Sequence, residues 1–193
     1  QNHLHADETR VQVLNEPGRS AEQKSYMWLY RTGRDAPPIV LYDYQTTRAS
    51  KHPLKFLEGF SGTLQVDGYS GYNQLQPKAK LAGCWAHARR HFTEVLDALP
   101  KGADKTNSLA VEAIGRIAEL YRVESSLKDT WGESLTPDAR NAIFAARQGK
   151  SAAICDAYFQ FCKANKNRST GKLREAMEYS LNEEQKLRHY LTD

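Results

Sequence analysis

What this chain has little of narrows its class first. Three cysteines in 193 residues, Cys84, Cys155 and Cys162, make no disulfide framework and suggest a reducing compartment. No apolar run approaches the roughly 20 residues that a membrane-spanning helix needs. No signal peptide opens the sequence. Gln1 stands where a methionine would, and a strand pattern begins almost at once, so the expectation is a piece cut from a longer protein. A strong charge of either sign is missing too, with 27 Lys and Arg against 23 Asp and Glu. Divided at Pro100, the first part carries 12 basic and 10 acidic residues and the second 15 and 13. Neither part is a polycationic arm, so a nucleic-acid partner has to be argued from a site and not from net charge. No internal repeat is evident.

What is there changes character at Pro100. Leu4 to Leu14 alternates, with Ala6, Glu8, Arg10 and Gln12 on one face and His5, Asp7, Thr9, Val11 and Val13 on the other. A Pro-Gly turn at 15–20 follows, then an aromatic-rich strand over Tyr26–Arg31. Asp35-Ala-Pro-Pro38 breaks that strand, and Ile39–Tyr44 reads as a third. Lys51–Phe60 reads as a short helix, Thr63–Val66 as a strand ended by Asp67 and turned by Gly68, and Tyr69–Leu75 as a short helix. Leu81–Cys84 is a last short strand, leading into an amphipathic helix from about Ala86. Beyond Pro100 the pattern is helical throughout. Helices are predicted over Asn107–Leu127, Asp138–Gln148, Ser151–Asn165 and Gly171–Asp193, the second with Thr136 as cap and Pro137 at its first position.

Two stretches carry more information than periodicity. One is Asp67-Gly-Tyr-x-Gly-Tyr-Asn73; the other is Gly83-Cys-Trp-Ala-His-Ala-Arg-Arg90. Together with Ala6-Asp-Glu-Thr9, Val40-Leu-Tyr-Asp-Tyr44 and the helical tail, they resemble the insertion-sequence-66 family of bacterial transposases over nearly the whole chain. The resemblance implies a metal-dependent DNA strand-transfer enzyme of the Asp-Asp-Glu type on a ribonuclease H-like fold. The order of elements read above, three strands, helix, strand, helix, strand, helix, is that of a ribonuclease H-like mixed sheet. The expected division is an incomplete catalytic core over 1–99 and a helical insertion over 100–193. In such a fold the first and fourth strands are neighbours, which brings Asp7 and Asp67 together. Location in the bacterial cytoplasm, at the nucleoid, is implied as well.

The chemistry agrees with this choice of residues. Phosphodiester cleavage and transfer call for two divalent cations about 4 Å apart, one at the attacking and one at the leaving oxygen. Mg2+ or Mn2+ wants hard oxygen ligands, so converging carboxylates are the requirement. Asp7 and Asp67 match the family's first two acids, each by its own motif, and are the expected metal ligands and catalytic residues. The plain alternative is a turn-forming Asp67 and an exposed Asp7. The family's third acid, a glutamate in an Asn- and Arg-rich motif after the helical insertion, has no match here and is expected beyond Asp193. Glu94 is the in-chain candidate, since it shares a helix face with His87. Glu183, Glu184 and Asp193 read as solvated.

Cys84-x-x-His87, with His91 one turn on, invites a zinc reading, but structural zinc takes four ligands and no fourth is visible. A similar Cys-x-x-His motif follows the second acid in several cut-and-paste transposase families. The resemblance therefore implies a catalytic His87 near the scissile phosphate. Cys84 then reads as a small buried side chain. Arg89 and Arg90 are good phosphate ligands, although adjacent helix residues point about 100° apart and one of them is expected in an ion pair. Tyr69 and Tyr72 have faces for base stacking, against the ordinary fate of aromatics in a core. His3 and His5 share the face of Asp7 and read as local packing. Cys155 and Cys162 share a helix face and read as interior.

The leading expectation is thus a transposase catalytic fragment acting on element ends and target DNA, with assembly into a homo-oligomer on DNA as a further expectation. The alternative is a non-catalytic DNA- or protein-binding module of the same fold. A third reading is a nuclease complete within the chain that uses Glu94.

Overall fold

Alternation in the first strand is enough to build the centre of a sheet. In the computed structural model, which describes residues 2–33, 36–132 and 136–192, β1 (His3–Gln12) buries Ala6 and leaves Asp7 exposed. The break expected at Asp35 lies outside the described residues, as do Gln1 and Asp193. β2 (Lys24–Thr32) pairs antiparallel with β1, and β3 (Val40–Gln45) antiparallel with β2. α1 (Lys51–Phe56) is shorter than the sequence suggests, because the chain leaves the helix at Leu57, whose side chain turns into the core. β4 (Thr63–Val66) then pairs parallel with β1. A single 3-10 stretch, Ser70–Leu75, precedes β5 (Lys80–Gly83). The result is a five-stranded mixed sheet in the order β3-β2-β1-β4-β5.

The chain divides into two compact units, residues 1–82 and 83–193. The first has its core around Trp28, Tyr30, Leu64, Val66 and Tyr72. Each large apolar side chain taken out of water there contributes about 1.5–3 kcal/mol. β3 lies at the sheet edge and is exposed on both faces, Leu41 and Tyr42 included.

The second unit is helical: α2 (Trp85–Asp97), α3 (Leu109–Trp131), α4 (Pro137–Ala146), α5 (Ala152–Lys166), α6 (Gly171–Asn182) and α7 (Glu184–Arg188). Ser108 caps α3 by accepting from the Val111 N–H at 3.3 Å, and Thr136 caps α4 the same way from Ala139 at 3.4 Å, with Pro137 at the first helical position. A π turn at Arg147–Ser151 joins α4 to α5. α2 packs on α3 and α6, and α5 on both of these. The sequence reads the last stretch as one helix, but it breaks at Glu183. Packing decides this: the break turns Leu187 fully inward beside Trp85. Cys155 and Cys162 are fully buried in this core, as their spacing suggests.

Candidate metal centre

The register of β1 and β4 sets up the acidic pair. His3 pairs with Thr63 and His5 with Gln65, an offset of 60 that, carried on, sets Asp7 level with Asp67. Level residues of parallel strands face the same side. Asp7 and Asp67 each offer a carboxylate oxygen, and these lie within 4.8 Å of one another. Two like charges held that close favour a cation between them. Hard oxygen donors brought together in this way suit a hard divalent cation.

Local chemistry fixes each carboxylate. Asp67 Oδ1 accepts the Tyr69 N–H at 2.9 Å, and Asp7 Oδ1 accepts the Glu8 N–H at 2.9 Å. The turn after Asp67 needs Gly68, whose φ of 100° few other residues adopt. Gly71 has a different reason. A Cβ there would stand 2.2 Å from the Tyr69 ring, so only glycine lets that ring lie across the 3-10 turn. His3 and His5, on the same face as Asp7, pack against each other with ring centroids 5.1 Å apart.

Behind the pair lies a network that sequence reasoning missed. Glu8 shares the core face with Ala6, opposite Trp28, and its side chain is only 1% exposed. Its Oε1 accepts from Arg48 Nε at 2.7 Å and its Oε2 from the Tyr72 hydroxyl at 2.9 Å. Arg48 Nη2 also faces Asp67 Oδ2 at 3.6 Å. The guanidinium lies 4.2 Å from the Tyr69 ring centre, and the Tyr69 hydroxyl donates to the Arg48 carbonyl oxygen. Burial pushes the Glu8 carboxyl above its usual range and the Asp67 charge adds to this, while hydrogen bonds from Arg48 and Tyr72 oppose it. One signal was legible: a charge on the face of Ala6 demands a buried partner. Nothing in the sequence names Arg48 as that partner. Tyr72 is a core aromatic, fully buried.

In the second unit α2 carries the other motif. Trp85 is structural, its Nε1 donating to the Leu187 carbonyl oxygen at 3.0 Å. Burial pushes the Cys84 thiol up, but hydrogen bonding with His87 outweighs this and holds it below its usual range. Among the described residues, no group of three potential ligands contains Cys84, and the His91 ring lies on Tyr179 at 4.2 Å. A hollow of about 280 Å³ on the α2 surface is lined by Ala86, His87, Arg89, Arg90 and Thr93. Arg90 shares it with His87, as a three-residue step requires. Arg89 reaches it too despite the 100° step, while its guanidinium lies 5.7 Å from the Tyr121 ring centre. Glu94 is 52% exposed, with its carboxylate 3.9 Å from Arg90.

The family model described as "Transposase IS66 family" matches residues 1–193. The chain is 33% identical over 204 residues to the uncharacterized protein y4qI of Sinorhizobium fredii, covering 97% of this chain and 35% of that one. It is 30% identical over 170 residues to y4hP of the same organism (79% and 29% covered) and 32% over 162 residues to y4jD (77% and 29%). The chain thus spans about a third of the length of the curated relatives it matches. No solved structure matches it. Along all 193 residues, and with its paired acids and both motifs in place, the chain belongs to the IS66 family of transposases.

Proposed function

We propose that this chain is the catalytic region of a DNA transposase, on a ribonuclease H-like sheet, that cleaves and transfers DNA strands at the ends of an insertion element. The observation that carries the reading is the pair of carboxylate oxygens of Asp7 and Asp67, brought within 4.8 Å from positions far apart in the chain. The antiparallel β3-β2-β1 with β4 parallel to β1 agrees with that fold. Asp7 and Asp67 would hold divalent cations, Mg2+ or Mn2+ and two in the complete enzyme. Bound there, such ions supply activation of the attacking oxygen and stabilisation of the leaving one.

The chain's own groups do the rest. Asp67 is oriented by the Tyr69 N–H, and Asp7 by the Glu8 N–H. His87 is proposed as the catalytic histidine near the scissile phosphate, and Arg89, Arg90 and Tyr69 as DNA contacts. Arg89 lies against Tyr121 and Arg90 beside Glu94, so each would exchange a protein contact for the phosphate. In this proposal residues 1–99 serve as catalytic core and 100–193 as a helical insertion. The third carboxylate comes from sequence outside these 193 residues; Glu94, largely exposed and beside Arg90, is the weaker candidate. The working place is the bacterial nucleoid, with DNA as partner and self-association on DNA.

Titration of the protein with Mn2+ or Ca2+ tests this. Binding should weaken about tenfold or more in Asp7→Asn and in Asp67→Asn. Binding unchanged in both variants, or absent from the parent chain, would favour a non-catalytic DNA- or protein-binding module instead.

A further inference from the structure

Glu8 is a buried carboxylate to which the metal reading gives no task. It stands on the core face of β1, hydrogen-bonded to Arg48 and Tyr72, while Arg48 turns a second nitrogen toward Asp67. The guanidinium therefore lies between a carboxylate sealed in the core and one offered to a cation. Its flat face is held on Tyr69. Arg48 comes from the loop between β3 and α1, and its side chain is 40% exposed. Untethered, a cation at that place would compete for Asp67 with any divalent ion. Tethered, it gives Asp67 Oδ2 a fixed neighbour.

We propose that Glu8 is a positioning residue for the metal site: by holding Arg48 it keeps the guanidinium out of the cation's place beside Asp67. The buried charge is what makes the tether firm. Glu8 has no solvent to replace Arg48, and a buried carboxylate stripped of its partner is strongly unfavourable. Arg is suited to the role where Lys is not, since its planar fork presents several donors at once. The inference rests on the reading of Asp7 and Asp67 as metal ligands.

The test is Mn2+ binding to the 193-residue protein, followed by the electron paramagnetic resonance of free Mn2+, with circular dichroism reporting the fold. Glu8→Gln keeps the shape and the acceptor for Tyr72 but removes the charge, and Mn2+ affinity should fall about tenfold or more with the fold retained. Adding Arg48→Met removes the loosened cation and should bring affinity back to within about threefold of the parent. A Glu8→Gln protein that binds Mn2+ as the parent does overturns the proposal, and so does a double variant no better than the single. Should Glu8→Gln fail to fold, Arg48→Lys keeps the charge but loses the fork. A similar loss is then expected, and unchanged affinity refutes the idea. If the parent binds no Mn2+, or Asp67→Asn binds it undiminished, the metal reading itself fails and this inference goes with it.

Discussion

Trp85 stands in the middle of the motif that marks this family, and its surroundings make it a structural residue and not a base-stacking one. The perturbation is Trp85→Phe. The indole N–H donates to the Leu187 carbonyl oxygen at 3.0 Å in a buried setting. Leaving that oxygen without a donor costs about 1–3 kcal/mol. The smaller ring also leaves a void amid Tyr158, Phe159 and Tyr190, whose centroids lie 5.3, 5.9 and 6.3 Å from Trp85. That adds about 1 kcal/mol. The expected total is about 2–4 kcal/mol, which lowers the melting temperature of a unit of this size by about 10–15 °C. Urea and thermal unfolding followed by far-ultraviolet circular dichroism would read it. A loss below about 1 kcal/mol, together with weakened DNA binding, would refute the reasoning and assign Trp85 to a DNA-binding surface.

Three further expectations follow from other contacts. Gly71→Ala should destabilise the sheet unit by about 1–3 kcal/mol, because the new methyl group meets the Tyr69 ring; a neutral result in urea unfolding would show that the ring moves aside freely. His87→Ala should raise the pH midpoint of Cys84 alkylation, since His87 holds that thiol down against burial, and an unmoved midpoint would show that the hydrogen bond is unimportant. The helical unit should lose stability above about pH 9: unfolded thiols ionise there, whereas burial pushes Cys155 up to about 11 and Cys162 up to about 12. A folded pKa raised in an acid means stability lost as pH rises through that window, so Cys162→Ala should flatten the fall in melting temperature, and an unaltered slope would contradict it.

Much of the site could be read from the sequence because its determinants are local. Alternation in β1 places Asp7 and Glu8 on opposite faces, and Asp67-Gly68 writes both the end of β4 and its turn. Thr136 and Pro137 announce the start of α4 for the same reason, since a cap is a matter of three adjacent residues. The pairing of Asp7 with Asp67 needed the family resemblance as well, because strand order is not a local property.

Tertiary structure alone decided the rest. Alternation says that Glu8 shares a face with Ala6, but not that this face is the one covered. Nor does it say that Arg48, from a loop 40 positions on, supplies the counter-charge. β3 is exposed on both faces while β5, at the other edge, buries Leu81 and Ala82, because what packs over a strand's faces decides exposure and its place in the order does not. The break at Glu183 has no proline or glycine to announce it. It exists because Leu187 is drawn toward an indole 102 positions earlier in the chain, and a contact over that distance outweighs the helical preference of the residues between Gly171 and Thr192. Side chains fix their own backbone locally; which of them are sealed from water, and beside whom, is settled only when distant segments pack.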